Sequence, residues 1–243
     1  MSDAQLAASI AAEAGALLLA IRNEGRETGK ALGDRGDHQA NALILDRLRT
    51  ARPDDFVLSE ESVDDKLRCA APHTWIIDPL DGTREYAEGR DDWAVHIALA
   101  VGGAAVAGAV ALPAMGVVLS SDPAAIVPPA PPRRRMVVSR SRPAAEALAV
   151  AAAIDAELIP MGSAGAKAMA VVRGDADIYL HSGGQYEWDS CAPVAVALAA
   201  GLHASRIDGS PLRYNCHETW LPDLLICRHE DAARVLALVA AGN

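Results

Sequence analysis

Lysine is almost missing from this chain: Lys30, Lys66 and Lys167 are the only three among 243 residues. Basic residues number 22 against 32 acidic ones, which leaves a net charge of −10. That deficit excludes non-specific nucleic-acid binding, which needs a basic face for the phosphate backbone. There are four cysteines, Cys69, Cys191, Cys216 and Cys227, and no two are closely spaced. Neither a zinc-site spacing nor a disulfide framework is indicated, and free thiols are expected. Long hydrophobic runs are lacking as well. The apolar stretch from Ala14 to Ile21 is short and follows Asp3 and Glu13 rather than a basic segment, so it matches neither a membrane span nor a signal peptide. A cytoplasmic protein with neither membrane nor nucleic acid as partner is expected. No internal repeat is found.

What is present centres on Trp75-Ile76-Ile77-Asp78-Pro79-Leu80-Asp81-Gly82-Thr83. Trp75, Ile76 and Ile77 read as a buried strand, and Pro79, lacking an N–H, is expected to stop its ladder. Asp81-Gly82-Thr83 reads as a helix start, with Asp81 as cap and Gly82 allowing close approach of a ligand. Two carboxylates at a strand end suit a hard cation, and free amides at a helix start suit phosphate. An aspartyl-phosphate phosphatase would carry a nucleophilic Asp two residues before Asp81, but Pro79 stands there. The acidic balance agrees with metal ions, because bound cations would invert a field that otherwise repels an anionic substrate.

With 51% apolar residues the composition is globular, and 243 residues suffice for one large or two small units. Apolar spacing predicts a helix from about Asp3 to Glu27, and a second one starts near Asp37 and stops before Pro53. The glycines between 29 and 36 predict a loop. Phe56-Val57-Leu58 reads as a strand delivering Glu60 and Glu61. Residues 93–101 and 104–112 form a hairpin across Gly102-Gly103, and Val117-Val118-Leu119 adds a third strand. Four prolines and three arginines in 128–135 mark a linker, its arginines read as a solvated edge. Halves 1–127 and 136–243 follow. In the second, strands at 136–138, 158–159 and 178–180 alternate with helices at 143–153, 164–172 and 189–200, an α/β pattern.

Acids thus stand at several element ends: Glu60-Glu61, Asp78 with Asp81, and Asp189 after Trp188. Gly162-Ser163-Ala164-Gly165-Ala166-Lys167 and Gly209-Ser210-Pro211-Leu212-Arg213-Tyr214-Asn215 add two further motifs. In this order they resemble the magnesium-dependent, lithium-sensitive inositol monophosphatase superfamily, over about Asp37 to Asn215. Trp93-Ala94-Val95-His96, 162–170 and His203-Ala204-Ser205-Arg206 are most similar to its CysQ-type 3′(2′),5′-bisphosphate nucleotidase branch in actinobacteria.

The resemblance implies a layered αβαβα sandwich, combining an α+β and an α/β half, with the site between them near Asp78. It implies that Glu60, Asp78 and the Leu80 carbonyl hold one Mg²⁺. Asp78, Asp81 and Asp189 hold a second, and a third weak ion near Glu60 fits the same family. Gly82 and Thr83 amides would hold phosphate, with Asp81 and Asp189 beside it. Thr83, with Asp37, would orient and deprotonate the attacking water. The family's Thr-x-x-Asp reads here as Asp34-Arg35-Gly36-Asp37; counting back from Pro53 favours Asp37, with Asp34 the alternative. Ser163 and Lys167, four apart on a helix start, would face the non-scissile part of the substrate. Residues 183–187 are expected as a loop over it, where Tyr186 or Trp188 could meet a base. His96 and His203 read as structural histidines, and Met161 and Met169 as core. The implied reaction is hydrolysis of the 3′-phosphate of 3′-phosphoadenosine 5′-phosphate, with 3′-phosphoadenylyl sulfate as a further substrate, in sulfate assimilation. Two alternatives stay open: a sibling phosphatase for inositol 1-phosphate, fructose 1,6-bisphosphate or histidinol phosphate, and a non-catalytic Mg²⁺- or nucleotide-binding regulator. A homodimer is one of the family's states.

Overall fold

The structure, a computed structural model, describes residues 1–242. Two long helices, α1 (Asp3–Glu24) and α2 (Gly29–Ala51), precede a five-stranded sheet. Its strands are β1 (Phe56–Ser59), β2 (His73–Asp81), β3 (Ala94–Val101), β4 (Ala104–Leu112) and β5 (Val117–Ser120), in spatial order β1-β2-β3-β4-β5. A short helix, α3 (Thr83–Ala87), leaves the end of β2. The second sheet has the order β7-β6-β8-β10-β9. It comprises β6 (Arg135–Ser139), β7 (Glu157–Met161), β8 (Ile178–Tyr186), β9 (His203–Ser205) and β10 (Trp220–Cys227). Helices α4 (Ala145–Ile154), α5 (Ala164–Arg173), α6 (Glu187–Ala199) and α7 (Ala232–Gly242) complete the chain.

Alternation along the strands makes the layers, because neighbouring side chains point to opposite faces. Trp75 and Ile77 of β2 face α1 and α2, joining Leu18, Ile21, Ile44 and Leu48. Ile76 between them faces the other way, onto α5 and α6, in a cluster that also holds Val137, Tyr179 and Ile226 of the second sheet. Met136, Val138, Ile178 and Leu225 look outward to α4 and α7. The result is the expected αβαβα sandwich, with α5 and α6 buried between two sheets. Helix α1 has the length and apolarity of a membrane span, but Leu6, Ile10, Ala14, Leu18 and Ile21 spend that apolarity on the first sheet.

Several local expectations are corrected. Residues 29–36 are helical, not a loop, and α2 starts at Gly29 rather than near Asp37. The glycines serve close approach: a Cβ on Gly33 would lie 2.7 Å from Thr83 Cγ2, and one on Gly36 would lie 3.1 Å from Leu18, Leu80 and Tyr86. Nor does Pro79 end β2. The strand continues to Asp81 across a bulge, with Asp78 opposite His96 and Asp81 opposite Ala94; a bulge absorbs the missing donor. Residues 183–186 belong to β8 instead of forming a loop, with Gln185 and Tyr186 paired to β10 beyond a register shift at Gly183-Gly184. The arginines of the 128–135 segment are not simply solvated, for Arg134 pairs with Asp231 at 2.7 Å and Arg135 with Asp177 at 3.4 Å.

Candidate active site

The end of β2, the start of α6 and the start of α5 converge. One carboxylate oxygen from each of Asp78, Asp81 and Asp189 lies within 4.8 Å of the others. Asp78 is 1% exposed and accepts the Leu80 N–H at 3.0 Å. Its charged neighbours are Glu60, Asp81, Asp189 and Asp37, all acids. Burial first, then these charges, hold its carboxyl well above the usual range. Asp189 is the third residue of α6 and accepts the Tyr186 N–H at 2.6 Å. Burial and the Asp81 charge push it up to about 6. Pro193, four residues on, lacks the N–H that would otherwise bond to the Asp189 carbonyl.

Asp81 differs. Burial alone would raise it, but His96, Ser163 and the Gly165 amide bring it down to about 2. It does not cap α3, whose N-cap is Gly82 at φ 86°. Instead its carboxylate accepts from Ser163 Oγ at 2.5 Å, Gly165 N at 2.6 Å and Ala164 N at 3.2 Å, thereby capping α5. The local sequence pointed to the next helix; the tertiary fold supplies a different one.

Glu60 follows β1, which runs parallel to β2. Its side chain opens to solvent, yet desolvation on its inner side, then the charges of Asp189 and Asp81, push it up to about 7. Asp37 is buried on the inner face of α2, and its Oδ1 has no hydrogen-bond partner. Burial, then Glu61 and Glu60, raise it to about 7, with Thr83 partly opposing. The Thr83 hydroxyl donates to the Leu80 carbonyl at 3.1 Å. Asp34 is elsewhere, exposed and paired with Lys30 at 2.6 Å. Glu61 is exposed at the rim.

Three carboxylates without a neutralising partner, Glu60, Asp78 and Asp189, with Asp81 beside them and an orphaned Asp37 oxygen, form an oxygen-rich set that a divalent cation fits. Beside them opens a cleft of about 700 Å³ with a different character. Arg84, Arg140, Arg142, Lys167 and His181 line it, with Tyr179 and Trp220. Arg84 and Arg140 are tied to Glu88 and Glu85. Arg142 has no side-chain partner among the described residues. Lys167 donates its ammonium to the carbonyls of Gly162 and Ser163 and lies 5.4 Å from the Tyr179 ring centroid. Ser163 and Lys167 both line the cleft, and the Ser163 hydroxyl donates to Asp81 while it accepts the Ala166 N–H. Tyr186 stacks on Trp188 at 4.8 Å, with 47% of Tyr186 exposed. Sequence reasoning missed the cleft's arginines. Their signal was Ser139-Arg140-Ser141-Arg142 following β6, the strand-end position where α/β sheets bind ligands.

Comparison with known proteins gives one answer. The model of the inositol monophosphatase family matches residues 3–123 and 133–241. A 3′-phosphoadenosine 5′-phosphate phosphatase of Mycobacterium leprae (strain TN) is 52% identical, over 98% of this chain and 94% of its own. The 3′(2′),5′-bisphosphate nucleotidase CysQ of Escherichia coli (strain K12) is 34% identical, over 76% and 80%. The crystal structure of CysQ from Bacteroides thetaiotaomicron superposes with a TM-score of 0.79 at 26% identity, over 93% of this chain and 97% of that one. With the fold, the acids and the relatives in agreement, this chain belongs to the inositol monophosphatase family.

Proposed function

We propose that this chain is a divalent-metal-dependent phosphomonoesterase that hydrolyses the 3′-phosphate of 3′-phosphoadenosine 5′-phosphate to AMP and phosphate. The observation that carries this is the 52% identity, over nearly all of both chains, to a relative named for that activity. The intact acid set agrees with it. Glu60, Asp78 and the Leu80 carbonyl would hold one Mg²⁺, and Asp78, Asp81 and Asp189 a second, with room for a third near Glu60. Metal ions there supply Lewis acidity and offset charge on the phosphate oxygens.

The chain's own residues do the rest. Asp37, raised to about 7 by burial and the neighbouring acids, suits a general base near neutral pH. It takes a proton from the attacking water, which Thr83 helps to orient. The Gly82 and Thr83 amides hold phosphate oxygens while the bond from phosphorus to the 3′ oxygen breaks. Water supplies the new P–O bond, the 3′ oxygen leaves and takes up a proton from solvent to become the hydroxyl, and no phosphoenzyme forms. In the cleft, the unpartnered Arg142 would meet the 5′-phosphate, with Lys167 adding charge from beneath. A second anionic group would thereby favour a bisphosphate over inositol 1-phosphate. The same site would accept 3′-phosphoadenylyl sulfate, linking the reaction to sulfate assimilation.

The test is phosphate release from 3′-phosphoadenosine 5′-phosphate, inositol 1-phosphate and fructose 1,6-bisphosphate, each with Mg²⁺, with a chelator and with Li⁺. A kcat/KM for the nucleotide about tenfold or more above the others, a discrimination of ~1.4 kcal/mol, is expected, together with loss on chelation and inhibition by Li⁺. Preference for an inositol or sugar phosphate would overturn the substrate. Activity that survives the chelator would overturn the mechanism.

A further inference from the structure

His96 is the most enclosed titratable side chain beside the acids, at 0% exposure in the middle of β3. Its Nδ1 lies 3.0 Å from the Trp188 carbonyl oxygen. A carbonyl only accepts, so Nδ1 carries the hydrogen. Its Nε2 lies in contact with Asp81 Oδ2 at 3.3 Å and is otherwise without a partner. The ring thus touches the carboxylate at the end of β2 on one side. On the other it touches the backbone one residue before Asp189.

The space for this ring is kept by a glycine. A Cβ on Gly165 would fall 2.0 Å from His96 Nε2, while the Gly165 N–H itself donates to Asp81 Oδ2 at 2.6 Å. The β2 bulge completes the arrangement: three steps from Asp78 to Asp81 span two steps from His96 to Ala94 on β3. Asp81 therefore turns toward the imidazole although Pro79 interrupts the ladder.

We infer that His96 is a positioning residue of the metal site: a buried strut between β2 and α6 that fixes Asp81 relative to Asp189. Carboxylates that share a cation must be held at a set separation, and groups behind the ligands do that holding. The inference rests on Asp81 and Asp189 being metal ligands.

The test is direct Mn²⁺ binding to chelator-treated protein by calorimetry, alongside thermal unfolding. In His96→Asn, the side-chain amide replaces Nδ1 toward Trp188 but falls short of Asp81. Gln places an N–H near the Nε2 position. His96→Asn is expected to weaken Mn²⁺ binding about tenfold or more, and His96→Gln to stay within about threefold of the parent. Gly165→Ala, whose methyl displaces the ring, should weaken binding as His96→Asn does. The double variant His96→Asn/Gly165→Ala should regain thermal stability over Gly165→Ala without regaining affinity. Parent-like affinity in His96→Asn would overturn the inference, and so would equal losses in Asn and Gln variants. A parent protein that binds no Mn²⁺ would overturn the metal reading itself.

Discussion

Asp78 and Asp177 are both buried aspartates, 1% and 0% exposed, yet only one has its charge answered. Asp177 accepts from Arg228 Nε at 2.7 Å and from Arg135 N and Nε at 2.9 and 3.4 Å. It ties β6 to the end of β10. Glu187, also fully buried, accepts the Asn215 and Cys216 amides at 2.6 and 2.8 Å, while Arg68, held by Asp64, bonds to Asn215. Asp78 has one backbone N–H and four acidic neighbours. Taking a carboxylate out of water is expensive unless a cation or several donors meet it. An acid whose partners come from the chain is architecture. An acid left without them, with other acids around it, is a place where a cation must come from outside.

That contrast can be broken experimentally. Asp177→Asn leaves Arg135 and Arg228 without their counter-charge and should destabilise the fold by about 3–5 kcal/mol, read by urea unfolding, with the metal dependence of turnover unchanged. Asp81→Asn should act on both: some loss of thermal stability, because its carboxylate caps α5, and turnover lower by at least about a hundredfold, or ~2.7 kcal/mol. Near-normal turnover in that variant would remove Asp81 from the metal site. Asp78→Asn should abolish activity and yet raise the melting temperature of the metal-free protein, since it relieves repulsion. A fall in melting temperature would mean that Asp78, like Asp177, is structural.

The same contrast appears against pH. Asp37 and Glu60, near 7, and Asp189, near 6, lie above the ordinary carboxyl values of 3.8 to 4.5. In that interval the folded protein binds more protons than the unfolded chain, so its stability falls as pH rises from about 4 to about 7. Asp81, near 2, acts oppositely and only below about pH 4. Melting of chelated protein across this range should show the decline, and saturating Mg²⁺ should flatten it. The smallest expected effect is Arg142→Ala. It should raise KM for the bisphosphate about tenfold, ~1.4 kcal/mol for one charge-assisted contact, and leave KM for a monophosphate nearly unchanged.

Much of this was legible in the chain. The hairpin at Gly102-Gly103, the strand before Asp78 and the order of the acid motifs are local signals, readable from period and turn chemistry. Residues 29–36 were not, because Gly33 and Gly36 are required by Thr83, Leu18 and Tyr86, neighbours that sequence does not reveal. Strand β10 also went unread, although it lies between β8 and β9.

The sequence by itself determined which residues are candidates for the chemistry, since oxygen ligands, glycines and strand ends are properties of residue type and spacing. Tertiary structure alone decided what each does for its neighbours. Asp81 caps α5 instead of α3, Ser163 bonds to Asp81 at the cleft's edge, and His96 spans two acid-bearing elements. Those partners are separated by up to 92 positions, and a hydrogen bond depends on distance in space, not on distance along the chain.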